Sequence, residues 1–232
     1  MERSVTVDPS PFTSTKRLSD LLKVLGLMKS DLFCPLTKVV LPTYLYNELF
    51  SITEKKGASD VLPEIFRGWL PFYSQDHIEA IIRGIERDET YMDTINKFFN
   101  LFKPIPASEY VSDLTKLGSK SVHRDEATER LGRIVGEIVF EMMALSDRLQ
   151  AVILSFGEIT ATLIARLGVT VIKTHSKFKA NVKKRANIRR VLRVTGYALS
   201  FDSLRRFIEV FQPINFPSIG DVGLGLIIVA DG

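Results

Sequence analysis

The sequence predicts an α/β protein in which a parallel β-sheet carries helices on both faces. Short β-branched or apolar runs occur at residues 4–8, 38–42 and 169–173, and the chain closes with LIIVA at 226–230. Longer segments with helical spacing of apolar residues separate these runs. Strands that alternate with helices are joined by crossover connections, and this pattern is typical of a parallel sheet in a three-layer fold.

Composition indicates one globular domain that spans residues 1–232. Hydrophobic residues make up 45% of the 232-residue chain and charged residues 25%, which allows a sizeable core. The single cysteine, Cys34, cannot form an internal disulfide. No uninterrupted apolar run reaches the roughly 18 residues of a membrane-spanning helix. The sequence therefore predicts a soluble, cytoplasmic protein without a membrane partner.

The N-terminal part of the chain begins with a strand and a helix. SVTVD, residues 4–8, alternates as a short strand does, and a Pro-Ser-Pro run then breaks it. Residues 14–28, STKRLSDLLKVLGLM, place leucines at helical spacing, with Ser14 or Thr15 as the N-cap. Asp8 is thereby placed at the carboxyl end of the first strand.

The middle of the chain is predicted to be mainly helical. The second strand, 38–42, runs into an amphipathic helix that carries Glu48. One helical piece covers 76–102, and a loop or hairpin tip follows at 105–122. Helical spacing then predicts a helix over 126–154, with Gly157 dividing it from the next one.

The C-terminal part alternates again between strands and helices. VTVIK at 169–173 is predicted to be a buried strand, and a basic helix follows at 177–193. A further strand is predicted at 195–201 and a helix at 203–211. The Pro- and Gly-rich tail, 213–232, forms a C-terminal extension that ends in a strand.

Three acidic residues stand where this topology would bring them to one edge of the sheet. Asp8 closes the first strand, Glu48 lies on the helix after the second, and Glu158 opens the helix before VTVIK. Carboxylate oxygens are the ligands that Mg²⁺ and Mn²⁺ prefer. Each acid also has a purely structural interpretation: a turn former, a solvated helix face and a helix-start residue, respectively.

The order of these motifs resembles that of PIN-domain ribonucleases. SVTVDPSPF, the LLKVLGL helix and KVVLPTYLYNELFS are similar to the opening of that family. GEITATLIARLGVTVIKTHSKF is similar to its third-acid helix, the next strand and its terminal Thr-x-Asp motif. The resemblance covers residues 4–50 and 150–210. It implies a PIN-like fold in which the helices of about 60–145, which match nothing specific, are an insertion.

The resemblance implies a metal-dependent ribonuclease that uses Mg²⁺ or Mn²⁺. Asp8, Glu48 and Glu158 fall on acidic positions that hold the metal, and Ser176 falls on the fourth acidic position as a further catalytic residue. Substrate-binding roles are assigned to Ser10, Thr174, Lys177, Lys179, Lys183, Lys184 and Arg185. Small PIN-like proteins often form homodimers, for which the terminal LIIVA strand is a candidate. An inhibitory protein partner is a further candidate whose identity is unknown.

Two features bear on whether RNA is cleaved or only bound. Ser176 supplies no negative charge where the family has an acid, which weakens the attraction for a divalent ion. The alternative is therefore a catalytically inactive PIN-like module that binds RNA or another protein. The interval between Glu158 and Asp202 holds ten basic residues and no acid. Such a cationic block favours RNA as the partner, because phosphate neutralisation supplies most non-specific affinity.

Overall fold

A computed structural model describes residues 3–32, 35–54, 74–111, 116–117, 122–149, 151–155 and 226–228. These parts of the chain form a five-stranded sheet, a separate two-stranded hairpin and helices packed on the sheet. All pairings in the five-stranded sheet are parallel, which confirms the predicted α/β class. No helix within the described ranges has the length and apolar character needed to cross a membrane.

The sheet is built outward in both directions from the N-terminal strand. In chain order the strands are β1 (Arg3–Val7), β2 (Leu36–Leu41), β3 (Ile105–Pro106), β4 (Lys116–Leu117), β5 (Val122–His123), β6 (Val152–Ser155) and β7 (Leu226–Ile228). β4 and β5 form the hairpin, and the large sheet has the order β3-β2-β1-β6-β7. The chain therefore proceeds from β1 to one edge of the sheet, then returns and continues on the other side of β1. The gap between β1 and β6 is the topological switch point of the sheet.

Seven helices and one 3₁₀ turn accompany these strands in the described residues. The 3₁₀ turn is Ser10–Thr13, and the helices are α1 (Thr15–Lys29), α2 (Thr43–Glu54), α3 (Gln75–Glu86), α4 (Thr90–Phe102), α5 (Ser108–Val111), α6 (Arg124–Leu131) and α7 (Arg133–Leu149). The side chain of Ser14 accepts a hydrogen bond from the backbone N of Arg17 at 3.3 Å. The predicted cap at Ser14 is thus confirmed.

The central strand is covered by helices on both faces. Val5 and Val7 join the apolar side chains of α1, α2 and α4 in one buried cluster. Thr6 points the opposite way, because successive strand residues alternate between faces. On that side α7 packs against β1 and buries the stripe Ile138, Met142 and Leu145. Burial on both faces is typical of parallel strands.

The predicted continuous helix over 126–154 is wrong in two places. Gly132, with φ of 82°, separates α6 from α7, because this left-handed backbone costs little without a Cβ. Val152–Ser155 is a strand whose residue Val152 pairs with Val5 of β1. Residues 151–154 are uniformly apolar, so their sequence has no periodicity that distinguishes a strand from a helix. Their pairing with β1 makes this segment a strand.

The predicted helix over 76–102 is also interrupted. α3 ends at Glu86 and α4 begins at Thr90. The carboxylate of Asp88 accepts hydrogen bonds from the backbone N and the hydroxyl of Thr90 at 3.0 and 2.7 Å, and these bonds fix the turn. An aspartate that bonds backbone two residues ahead competes with helix formation.

The regions after α4 agree in part with the prediction. The hairpin β4–β5 lies in the predicted loop region, while Ile105–Pro106 adds a short strand beside β2 that was not predicted. β7 covers the first three residues of the terminal LIIVA and pairs in parallel with β6, which confirms that strand. The predicted strands at 169–173 and 195–201 and the basic helix at 177–193 lie outside the described residues.

Candidate functional site

Asp8 lies at the carboxyl end of the central strand, beside the switch point. In the β1 register, Thr6 pairs with Val40 on one side and with Ile153 on the other. The backbone N of Asp8 donates to the carbonyl oxygen of Leu154 at 3.2 Å, so the strand pairing with β6 extends as far as Asp8. The residue is completely buried. Asp8 therefore occupies the predicted position at the carboxyl end of β1.

The carboxylate of Asp8 is held by Ser10. Its Oδ1 accepts hydrogen bonds from the backbone N of Ser10 at 3.1 Å and from the Ser10 hydroxyl. This arrangement opens the Ser10–Thr13 turn, so Asp8 does act as a turn former. The same bonds fix the orientation of the carboxylate, which is what a ligand position also requires. Ser10 is itself fully buried, and its substrate-binding role stays a prediction.

Glu48 lies on α2, the helix that follows β2. That helix begins at Thr43, directly beyond the carboxyl end of β2. Glu48 lies five residues later, about 7.5 Å along the helix axis. It is half-buried and flanks the buried stripe of Leu45, Leu49 and Ile52. Its position differs from that of a fully solvated helical glutamate.

A further buried carboxylate, Glu141, was missed by the sequence analysis. Glu141 lies on α7 and is only 8% exposed. Its Oε2 accepts a hydrogen bond from the backbone N of Thr43 at 2.6 Å, at the N-terminus of α2 where a helix dipole favours a negative group. The Thr43 hydroxyl in turn accepts from the backbone N of Ser108 at 2.9 Å. These contacts join the ends of β2 and β3 to α7.

Burial makes Glu141 an unusual acid. Desolvation raises the pKa of its carboxyl group, because the charged form is disfavoured in the interior. The hydrogen bonds from Thr43 oppose this shift, whereas the nearby carboxylate of Glu137 raises the pKa further. Arg124 acts in the opposite direction on Glu141 and forms an ion pair with Glu137. Glu141 therefore takes up a proton at a higher pH than an ordinary glutamate does, and it carries its negative charge above that raised pKa.

The position of Glu141 in the sequence carried a usable signal. It lies three residues after Ile138 and four before Leu145, on the apolar stripe that faces the sheet. Glutamate is rarely buried unless a specific partner holds it. The spacing therefore marks Glu141 as a candidate buried acid, whereas its contact with the start of α2 depends on how the helices pack.

The structure tests only part of the predicted site. Asp8 and Glu48 are described: Asp8 directly follows β1, and Glu48 lies on the helix that follows β2. Within the described ranges, no three carboxylate, imidazole or thiol groups come close enough together to hold a metal ion. The remaining predicted site residues lie outside those ranges: Glu158, Thr174, Ser176, Lys177, Lys179, Lys183, Lys184 and Arg185.

Comparison of the chain with family models, with curated proteins and with solved structures finds no match. The resemblance to PIN-domain ribonucleases therefore stays a prediction that the order of the motifs carries. The candidate site is assigned from the geometry of β1, β2, β6 and α7.

Proposed function

We propose that the chain is a metal-dependent ribonuclease of PIN-like type whose active site lies at the carboxyl edge of the sheet. The observation that carries this proposal is the position of Asp8. Its carboxylate is buried and held in one orientation at the end of the central strand, beside the switch point. In open α/β sheets, ligands bind in the crevice at that point.

Three carboxylates are proposed to hold the ion, namely those of Asp8, Glu48 and Glu158. Glu158 follows Ser155, the last residue of β6, by three residues. Three residues of chain span at most about 11 Å, so the end of β6 keeps Glu158 within reach of the edge. Oxygen donors of this kind fit Mg²⁺ or Mn²⁺. The described residues alone supply two of the three.

Glu141 adds negative charge to the same edge. Its carboxylate lies at the start of α2, beside the strand end that precedes Glu48. Ser176 brings no charge at the position where the family has an acid. The hydrogen bond of Glu141 to the backbone N of Thr43 fixes the first turn of the helix that carries Glu48.

The chain itself supplies positioning and charge for the reaction. A divalent ion bound there lowers the pKa of a water molecule and stabilises charge that develops on the phosphate. Ser10 keeps the Asp8 carboxylate from rotating, through its hydroxyl and its backbone N. The basic block that follows Glu158 supplies cations for the phosphates of the RNA.

Manganese binding tests the proposal directly. The wild type and an Asp8→Asn variant are titrated with Mn²⁺ by calorimetry, and cleavage of a single-stranded RNA is followed in parallel. Asparagine keeps an oxygen for the Ser10 backbone N but loses the charge, so we expect Mn²⁺ affinity to fall about tenfold or more and cleavage to be lost. Asp93→Asn, on the exposed face of α4, is the matched control and should change neither.

Ser176 favours a second function, that of an inactive module which binds RNA or another protein. The same titration separates the two. If the wild type binds RNA but shows neither Mn²⁺ binding nor metal-dependent cleavage, the enzyme function is excluded and the inactive binding module is supported.

A further inference from the structure

A cavity lies at the C-terminal end of the Ser10–Thr13 turn, the turn that follows Asp8 in the chain. It has a volume of about 310 Å³ and opens between the start of α1 and α3. Thr13, the last residue of the turn that Asp8 begins, lines one side. Ala80, Ile81 and Ile85 of α3 form an apolar wall. This volume is at the small end of ligand pockets and suits one ring system.

The polar side of the cavity is dominated by Asp88. Its Oδ1 accepts hydrogen bonds from the backbone N and the hydroxyl of Thr90, so the carboxylate is fixed in place. The hydroxyl of Thr15, followed by that of Thr90, lowers the pKa of Asp88, which keeps it ionised near neutral pH. Ser14 and His77 complete the polar lining. The cavity thus combines an apolar wall with a fixed anionic acceptor.

These properties select the chemistry of the occupant. An ionised carboxylate only accepts hydrogen bonds and repels phosphate, so the part of the occupant that meets Asp88 must present N–H or O–H donors. The apolar wall favours a flat ring. A carboxylate oxygen offers about two lone-pair sites, and both bonds from Thr90 end on Oδ1, so Oδ2 is the oxygen left to accept about two donors of the occupant.

Guanine matches this demand best among the RNA bases. Its ring N1–H and its exocyclic amino group present two adjacent donors on one edge. Adenine and cytosine place an acceptor nitrogen beside the amino group, and uracil places its single N–H between two carbonyl oxygens. We infer that the cavity between α1 and α3 binds a guanine base and gives the proposed ribonuclease a preference for guanine next to its cleavage site.

The chain offers a way to block the cavity without disturbing the fold. Gly84 lines the cavity on α3, and a Cβ added there would meet no atom within 4 Å. A leucine at this position would extend into the cavity. Gly26 on α1 has the same open surroundings and does not line the cavity. Gly26→Leu is therefore the matched control for Gly84→Leu.

Nucleotide titration tests the inference on the full chain in a metal chelator. GMP and AMP are titrated into the wild type, Asp88→Asn, Gly84→Leu and Gly26→Leu. We expect GMP to bind about tenfold or more tightly than AMP, because a site that accepts hydrogen bonds rejects a base that lacks a donor.

Asp88→Asn should remove most of this preference for GMP, although asparagine can still accept from Thr90. Gly84→Leu should abolish GMP binding, and Gly26→Leu should preserve it. Equal affinities for GMP and AMP, or unchanged binding in Gly84→Leu, would overturn the inference.

A second pair of ligands separates a base in RNA from a free nucleotide. A uridine hexamer with one guanosine is compared with the all-uridine hexamer. Tighter binding of the guanosine-containing strand supports the RNA pocket, whereas a preference for GMP without any strand preference would assign the cavity to a free nucleotide and overturn its link to RNA.

The link of this cavity to an RNA strand rests on the proposed ribonuclease function, whereas the binding of guanine does not. The cavity and the enzyme can therefore be disproved separately. A preference for GMP without Mn²⁺-dependent cleavage would disprove the ribonuclease function and support the guanine cavity. Cleavage that does not depend on guanine, in the wild type and in Asp88→Asn alike, would disprove the guanine preference and support the ribonuclease function.

Discussion

The carboxyl edge of the sheet and the packing between α1, α2 and α4 are built from opposite kinds of side chain. At the edge, Asp8 and Glu141 are buried acids, each held by hydrogen bonds from a neighbouring residue. Between the helices lies an aromatic layer, defined here as Phe12, Tyr46, Phe50, Phe98, Phe99 and Phe102, whose rings contact one another at centroid distances of 5.6–6.1 Å.

This difference separates the source of stability from the source of chemistry. Burial of aromatic rings stabilises the fold without any need for a partner of matching charge. Burial of a carboxylate costs free energy that its hydrogen bonds only partly offset. One hydroxyl connects the two regions, because Tyr91 donates to the carbonyl oxygen of Phe12 in the turn that Asp8 opens. Tyr91 of α4 thus supports the turn that follows Asp8.

The largest effect is expected in the centre of the aromatic layer. Phe98 is completely buried and contacts the rings of Phe12, Phe99 and Phe102. Phe98→Ala removes those contacts and leaves a cavity, so we expect the free energy of unfolding in urea to fall by about 3–5 kcal/mol. Mn²⁺ affinity of the fraction that stays folded should be unchanged, since the ring of Phe98 carries no charge and is not among the proposed metal ligands.

Leu101→Ala is the matched control on the same helix. Leu101 is 48% exposed, and its truncation should cost less than about 1 kcal/mol. Equal losses for the two variants would contradict the view that burial of the Phe98 ring contributes strongly to stability.

A smaller effect is expected where the two regions meet. Tyr91 is buried, its hydroxyl donates to the Phe12 carbonyl oxygen at 2.7 Å, and burial raises its pKa far above the ordinary value. Tyr91→Phe leaves that carbonyl without this donor, and we expect a loss of about 1–3 kcal/mol in the free energy of unfolding. Tyr46→Phe, in a half-buried ring stacked on Phe50, is the control and should change stability by less than about 0.5 kcal/mol. A neutral Tyr91→Phe would mean that the hydroxyl does not link the regions.

The elements near the N-terminus were predictable because several local signals agree there. Strand alternation in residues 4–8, the Ser14 cap and the leucine spacing of α1 all indicate the same structure. β6 was not predictable, because an apolar run such as AVIL suits a helix or a strand equally well. Its identity depends on pairing with β1, which lies some 145 residues earlier in the sequence.

The candidate site also contains some features that local sequence predicts and others that depend on packing. The place of Asp8 at a strand end follows from local sequence, since the Pro-Ser-Pro run fixes where β1 stops. Glu141 reaches the edge only because α7 packs across the sheet and meets the start of α2. The cavity beside Asp88 depends likewise on how α3 approaches α1. Contacts between distant segments leave little trace in the spacing of residues along the chain.

The smallest effect at any single pH is expected for Glu141→Gln, and it sharpens the comparison at the edge itself. In the folded protein the pKa of Glu141 is raised above its ordinary value of 4.5. At a pH between the ordinary and the raised pKa, Glu141 holds a proton in the folded chain that the unfolded chain has released. Stability from this proton is complete below 4.5 and is lost as the pH rises through the raised pKa. Glutamine cannot lose a proton, and it keeps an oxygen for the backbone N of Thr43.

The free energy of unfolding, taken as variant minus wild type, should therefore rise with pH from about 4.5 and then level off. Urea unfolding between pH 4 and pH 9 in a chelator measures this difference. Glu86→Gln on the exposed face of α3 supplies the background, because its carboxyl group lies in solvent whether the chain is folded or not. A difference that stays constant over the whole range would mean that burial does not set the protonation of Glu141. Above the raised pKa, glutamine also removes a negative charge from the edge, so we expect the Mn²⁺ affinity of Glu141→Gln to fall. A variant that is more stable than the wild type at neutral pH and binds Mn²⁺ less tightly would show that this edge is arranged for binding at the expense of stability.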